Sequence, residues 1–269
     1  MDPDPQGGAM PVVLTRQPVQ AGRLEQDLRA AGHPVRFLPL TDFEIPSDRS
    51  GLQACLERLG AGEYAWLLLT SPNSARALAR VGWDGSLPSG TQVAVTGPGT
   101  ARVLAQVGCP ITPWMPDGDQ SAAGIAAEFP AGPGGQGGQV LLPQSQLASD
   151  EVPTGLRSLG WSVDRVEAYR TVPYPADAER RLLSGTAPLL AGDEDVVGLE
   201  DVESAVVVLT SPSAVREVTR QAQGSLHGVR WVAIGQPTRQ AAEQAGLQLL
   251  GTARTPDARG ILDVLRGVR

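Results

Sequence analysis

The sequence contains no lysine: all 22 basic residues are arginine, against 29 acids, for a net charge of −7. Without lysine there is neither Schiff-base chemistry nor a lysine-bearing phosphate loop. The acidic balance also lacks the positive field that general nucleic-acid binding needs. Cysteine and histidine are almost as scarce. Cys55 and Cys109 have no metal-ligand spacing and read as buried apolar residues. With only His33 and His227 beside them, a structural zinc site is not expected. Aromatics make up 4% of a chain that is 41% hydrophobic, so its core must be aliphatic. No run is long and apolar enough to span a bilayer. Residues 1–9 lack the basic and apolar parts of a signal peptide and read as a disordered tail, with Met10 as an alternative start. The expectation is a cytoplasmic protein with no membrane partner.

What the chain does have is a repeated junction. Val206-Val207-Val208-Leu209-Thr210-Ser211-Pro212-Ser213-Ala214 has an earlier twin in Trp66-Leu67-Leu68-Leu69-Thr70-Ser71-Pro72-Asn73-Ser74. Each is a short apolar run, the mark of a strand buried on both faces, that stops at Thr-Ser-Pro. The hydroxyl suits a helix N-cap and the proline suits the first helical position. A second strand-turn pair follows each: Val93-Ala94-Val95-Thr96-Gly97-Pro98-Gly99-Thr100 and Val232-Ala233-Ile234-Gly235-Gln236-Pro237-Thr238. Gly97 follows Thr70 by 27 positions and Gly235 follows Thr210 by 25. Matched pairs of strand-turn-helix units indicate two related α/β domains. Their helix N-termini offer bare N–H donors to an anionic ligand.

Taken in order, Pro11–Arg16 reads as a strand, Ala21–Ala31 as a helix closed by Gly32, and Val35–Leu38 as a strand. Pro39–Asp42 crosses into a new unit. That unit runs through helix Ser50–Leu59, the first junction pair and a helix from Ser121. Strand Val140–Leu142 then ends at Pro143-Gln144-Ser145, before helix Glu151–Leu159 and strand Val163–Tyr169. Arg170–Pro173 leads out. Ala176–Leu183 reads as a short helix, 185–203 as an acidic surface loop, and the Gly-rich 131–138 as a flexible one. The last block has too few strands for a sheet of its own, and the first strand and helix repair it. The expected architecture is two doubly wound parallel-sheet domains of flavodoxin-like form, joined by a two-stranded linker. One comprises 10–39 plus 172–269, and the other, 40–171, is inserted in it.

The ordered set Leu-Thr-Arg (14–16), Leu-Thr-Ser-Pro-Asn (69–73), Val-Thr-Gly-Pro-Gly-Thr-Ala (95–101), Ala-Tyr-Arg-Thr (168–171), Leu-Thr-Ser-Pro-Ser-Ala (209–214) and Ala-Ile-Gly (233–235) followed by Thr238 resembles the uroporphyrinogen-III synthase family. The resemblance covers Pro11 to Leu265. It implies two α/β domains with the site between them and no cofactor. The implied reaction removes the hydroxyl of hydroxymethylbilane, inverts its last pyrrole ring through a spiro intermediate and closes the macrocycle, in tetrapyrrole (haem, sirohaem or cobalamin) biosynthesis. It also implies a monomer, in transient contact with the upstream bilane-forming enzyme.

Such a substrate carries eight carboxylates, which turns rich in Ser, Thr and Gly would hold through backbone N–H groups. Carboxylate binding is placed at Ser71, Asn73, Gly97 and Thr100 in the inserted domain. In the other it is placed at Thr15, Arg16, Ser211, Ser213, Gln236 and Thr238. Each Ser or Thr is equally what a helix start requires, so simple capping stands beside the binding role. Tyr169 resembles the family tyrosine thought to assist departure of the hydroxyl, and a phenol can donate a hydrogen bond without ionising. The alternative is a buried linker tyrosine. The family often carries Arg after the strand at Val140. Here Gln144 and Ser145 stand there, as weaker donors for the substrate. Arg102 and Arg239 are further candidates or plain surface residues. Two other readings stay open: a non-catalytic module of the same fold that senses a tetrapyrrole or another polyanion, and a bilobal solute-binding protein with hinge closure.

Overall fold

The structure is a computed structural model, and it describes residues 9–133, 138–183, 195–203, 205–222 and 228–267. Most of the N-terminal tail, the centre of the Gly-rich loop at 134–137, the first part of the acidic loop at 184–194 and His227 lie outside the described residues. In chain order the strands are β1 Val12–Leu14, β2 Val35–Phe37, β3 Thr41–Glu44, β4 Trp66–Leu69, β5 Gln92–Val95, β6 Gln139–Ser145, β7 Ser162–Pro173, β8 Val206–Leu209, β9 Arg230–Ala233 and β10 Leu249–Thr252. The helices are α1 Arg23–Ala30, α2 Ser50–Gly60, α3 Pro72–Arg80, α4 Pro98–Gln106, α5 Ala122–Glu128, α6 Glu151–Ser158, α7 Pro212–Gln221, α8 Gln236–Gln244 and α9 Ala258–Arg266.

The chain divides into two α/β units. Unit 1 takes the two ends of the chain, up to Asp42 and from Leu183 onward, with Pro173–Pro175; unit 2 takes Phe43–Val172 with Ala176–Leu182. The helix expected at Ala176–Leu183 does not form. Its backbone is spent on the entry to unit 2 instead: Ile45 N donates to Arg180 O at 2.9 Å and Leu182 N to Phe43 O at 2.8 Å. Arg180 also pairs with the buried Glu44 at 2.9 Å. The strand expected to stop at Leu142 runs on to Ser145, so Gln144 and Ser145 lie in β6 rather than in a turn.

In unit 1 the sheet order is β10-β9-β8-β1-β2, with parallel pairing throughout. Its central strand β8 is buried along its whole length. Val206 and Val208 pack with Phe37, Leu28 and Ile261, while Val207 and Leu209 pack on the other face with Trp231, Val215 and Val218. Helices therefore cover both faces, and this is why the strand reads as an unbroken apolar run. In unit 2 the order is β3-β7-β6-β4-β5. Leu67 and Leu69 of β4 face one apolar cluster, and Trp66 and Leu68 face the other.

The two units repeat each other in rotated order. β8-α7-β9-α8 corresponds to β4-α3-β5-α4, and β1-α1-β2 to β6-α6-β7. Strand β1 flanks β8 with Val12 opposite Val206, and β6 flanks β4 with Val140 opposite Trp66. The counterpart of β10 is a single parallel bridge, Ala94 to Trp114. After it, Ser121-Ala122-Ala123-Gly124-Ile125 matches Asp257-Ala258-Arg259-Gly260-Ile261, each begun by a side-chain N-cap. Gly124 and Gly260 are equivalent: a Cβ would collide with the carbonyl oxygen of Asp119 at one and of Thr255 at the other. Unit 2 is thus the same fold entered at a different strand, and this explains why its sheet is complete without the chain ends.

Leu67 and Leu68 are each fully buried, on opposite faces of β4. Leu67→Ala and Leu68→Ala should each cost about 2–5 kcal/mol in denaturant unfolding. A loss below about 1 kcal/mol at either would show that its face is not covered.

Candidate functional site

In a doubly wound sheet, strand carboxyl ends run into helix N-termini, and ligands gather there. In unit 2 this rim collects Ser71, Asn73, Gln144, Ser145 and Tyr169. Ser71 caps α3, its Oγ accepting from Asn73 N at 3.1 Å. Tyr169 is 8% exposed, lies edge-on to Phe43 at 6.0 Å, and its phenol lies near the hydroxyls of Ser71 and Ser145. A register shift makes this possible. Gln144 lies opposite Glu167, but Ser145 skips to Tyr169. Burial pushes the Tyr169 phenol up from its ordinary value, and the two serine hydroxyls pull the other way. The group stays neutral and able to donate.

The Gln144 amide is 4% exposed and its Nε2 reaches Thr70 Oγ1 at 3.5 Å, while its Oε1 is buried without a partner. Gly97 begins α4 next along the rim, with no side-chain cap on the helix. Thr100 is buried one turn in, so only the backbone of Gly97–Thr100 faces a ligand.

In unit 1 the corresponding rim holds a cleft of about 570 Å³ at the ends of β8, β9 and β10. Ser211, Gln236 and Thr238 line it. Ser211 Oγ caps α7 through Ala214 N at 3.1 Å and meets Ser213 Oγ at 2.9 Å. Gly235 begins α8 uncapped, as Gly97 does α4. Thr238 is buried, again leaving the backbone as donor. Thr15 and Arg16 do not line the cleft. The Thr15 hydroxyl is 2% exposed side chain bonded within the sheet, to Val208 O at 3.1 Å and from Thr210 N at 2.9 Å. Arg16 pairs with the buried Glu25. Of the two helix-surface arginines, Arg239 pairs with Glu243 at 2.7 Å and Arg102 is exposed.

One residue of the cleft escaped the sequence reading. Arg254 lies just past β10, exposed, and no carboxylate pairs with it among the described residues. Its signal was present: Thr252-Ala253-Arg254-Thr255-Pro256 is another Thr/Pro turn between strand and helix. The opposite, amino edge of the unit 2 sheet differs in kind. A smaller hollow there, about 240 Å³, is lined by Arg58, Gln139 and Asp164. Its charges are satisfied: Arg58 reaches Asp164 at 2.5 Å and Gln139 at 2.7 Å, and Tyr64 OH donates to Asp164 at 2.5 Å. Among the described residues no group of three or more His, Cys, Asp or Glu could hold a metal. No described helix is long and apolar enough to cross a membrane.

Comparison with known proteins agrees with this architecture. A family model described as "Uroporphyrinogen-III synthase HemD" matches residues 22–263. A "Porphyrin biosynthesis protein HemD" from Ruminiclostridium josui is 32% identical over 167 residues, covering 60% of this chain but only 32% of that protein. The chloroplastic uroporphyrinogen-III synthase of Oryza sativa is 29% identical over 95% of this chain and 80% of its own length. In fold, the chain is similar to the crystal structures of uroporphyrinogen-III synthetase from Helicobacter pylori and of a mutant uroporphyrinogen III synthase from Thermus thermophilus. The TM-scores are 0.60 and 0.56 at 12% and 16% identity, covering 97% and 96% of this chain and 100% of each of those chains.

The raised Tyr169 value has a sign that can be measured. Above the unfolded tyrosine value of about 10, the unfolded chain ionises while the folded phenol keeps its proton. Stability is therefore intact below that pH and falls as pH rises past it. Tyr169→Phe should flatten the fall, read by urea unfolding between about pH 8.5 and about pH 10.5. Equal slopes in variant and parent would mean that the phenol is not shielded.

Proposed function

The chain belongs to the uroporphyrinogen-III synthase family, and we propose that it is itself such a synthase: a lyase that dehydrates and cyclises hydroxymethylbilane with inversion of the last pyrrole ring. The observation that carries this reading is the cleft at the carboxyl edge of β8–β10. The N–H groups of Gln236 and Thr238, which no side chain caps, and Arg254, unpaired among the described residues, face one space there, beside the Ser211 cap. Backbone N–H groups and a guanidinium are carboxylate binders, and the substrate is ringed by carboxylates. The rim of unit 2 adds the backbone at the start of α4 and the side chains of Ser71 and Asn73, together with Tyr169.

The chemistry asks little more of the protein. When the carbon–oxygen bond of the hydroxymethyl group breaks, the leaving oxygen needs a proton donor, and the neutral Tyr169 phenol supplies a hydrogen bond to it. The hydroxyl leaves as water, and the pyrrole nitrogen stabilises the resulting cation. The substituted carbon of the last ring then attacks that cation to give the spiro intermediate; the bond from that carbon to its original bridging methylene breaks, leaving a second pyrrole-stabilised cation, and the unsubstituted carbon of the inverted ring attacks it and loses its proton. Without the protein the unsubstituted position closes first. The contribution of the binding groups is therefore to fix the chain's shape, an orientation effect on which carbon reacts. The same reading takes the protein as a cytoplasmic monomer that receives its substrate from the bilane-forming enzyme.

Purified protein given freshly made hydroxymethylbilane should yield the type III isomer by chromatography. Recovery of the type I isomer alone would sink the enzyme reading and leave the sensor module standing. Tyr169→Phe should lower kcat by about 10²-fold, the usual worth of a placed proton donor, with the midpoint of thermal unfolding little changed. Arg254→Ala should raise KM about tenfold, the loss of one charge-assisted contact, and leave kcat unaltered. An unchanged KM would remove Arg254 from the site.

A further inference from the structure

Most arginines drawn off the open surface have a carboxylate beside them. Arg16 has Glu25, Arg29 has Asp195 at 2.9 Å, Arg165 has Asp150 at 2.5 Å, and Arg180 has Glu44. Arg76 is built differently. It is half-buried in the second turn of α3, and its one hydrogen bond runs from Nη1 to Asn73 Oδ1 at 2.9 Å. No carboxylate pairs with it among the described residues. Burial pulls its pKa below the usual guanidinium value, the mark of a cation shielded from water without a counter-charge. Such a group costs stability unless an anion arrives. Because Arg76 reaches back three residues to Asn73, its head lies towards the α3 N-terminus, the end of the helix that carries Ser71 near the Tyr169 phenol.

Two buried polar atoms at the β4–α3 junction and the end of β6 are also without a partner among the described residues. The Gln144 amide rests on Thr70 with its Oε1 unpartnered, and the fully buried Ser74 Oγ has no partner. An open acceptor on the same rim as an open cation fits a ligand with both N–H donors and carboxylates, which a linear tetrapyrrole carries on its pyrroles.

The internal repeat explains why the cation sits on the helix. Aligned by strand register, Gln144 of β6 corresponds to Arg16 of β1, and Pro153 to Glu25. Unit 1 thus has an ion pair where unit 2 has an amide and a proline. Arg76 corresponds in turn to Arg216, which is exposed. In unit 2 the positive charge missing from the strand end is supplied from α3.

We propose that Arg76 anchors one carboxylate arm of the linear tetrapyrrole at the rim of unit 2, beside Tyr169. This rests on the synthase activity proposed above. The test compares the parent protein with Arg76→Gln and Arg76→Lys, using hydroxymethylbilane as the probe and thermal unfolding as a second readout. Arg76→Gln should raise KM about tenfold, the worth of one charge-assisted contact, with kcat within about twofold. Its unfolding midpoint should hold or rise, because an uncompensated cation has been removed. Arg76→Lys should recover part of the KM. If the parent forms the type III isomer and Arg76→Gln binds as tightly, the anchor is overturned while the synthase reading stands. A KM rise that comes with a fallen unfolding midpoint, not relieved by lysine, would also overturn it by showing a packing role. If the parent forms no type III isomer, the synthase reading fails and takes the anchor with it.

Discussion

Both units rest on one constraint: a parallel strand covered by helices on each face leaves no side for polar side chains. β4 and β8 have none, and their four-residue runs are buried without interruption. Polar chemistry is pushed to the strand ends, where backbone donors surplus to each helix have to find partners. At α3 and α7 a serine meets that need from within the chain. At α4 and α8 a glycine begins the helix and no side chain caps it. Each rim therefore alternates a self-sufficient helix start with one whose donors are left for solvent or ligand. The amino edge of unit 2 is the contrast. Tyr64, Arg58 and Asp164 consume one another there, which is the behaviour of a structural cluster.

Much of this was legible in the sequence because it depends on local rules. The Val206–Leu209 and Trp66–Leu69 runs, their Ser caps and the proline after each cap follow from neighbours in the chain. Elsewhere tertiary contacts decided the outcome. Ala176–Leu183 has helical composition, but Pro175 precedes it and its backbone is claimed by Phe43 and Ile45. Pro143 looked like the end of a strand, yet the β4 pairing of β6 stops at Leu141, so the missing N–H is tolerated and the strand continues along β7. Thr15, Thr100 and Thr238 enter the candidate site by residue type, as members of turns that offer backbone N–H groups. Their burial could not be seen without the helix packed above them. Arg76 lacked any signal, since an arginine at the second turn of a helix is ordinarily on the surface and only its surroundings make it otherwise.

The repetition between units also shows which features the fold requires and which are free to change. The glycine pair at 124 and 260 is fixed by a close approach of backbone, and both copies keep it. The fifth strand is not fixed: β10 has four residues in unit 1, and the bridge at Trp114 replaces it in unit 2. The charged pair at Arg16 and Glu25 is exchanged as a set for Gln144 and Pro153. That is the expected fate of a buried carboxylate once its cation is gone.

The split of unit 1 has a further consequence at the moment of synthesis. Thr15 finds its partner Val208, 193 positions further on, only once that much more of the chain has been made. The whole of unit 2 leaves the ribosome within that interval and can close its sheet unaided. Meanwhile β1 and β2 wait as a two-stranded fragment with apolar faces, exposed to wrong partners for as long as translation takes. An early finished insert brings the two chain ends of the waiting fragment towards each other and shortens the loop that the last sheet must close. The nascent protein is in this sense assembled from the inside outward.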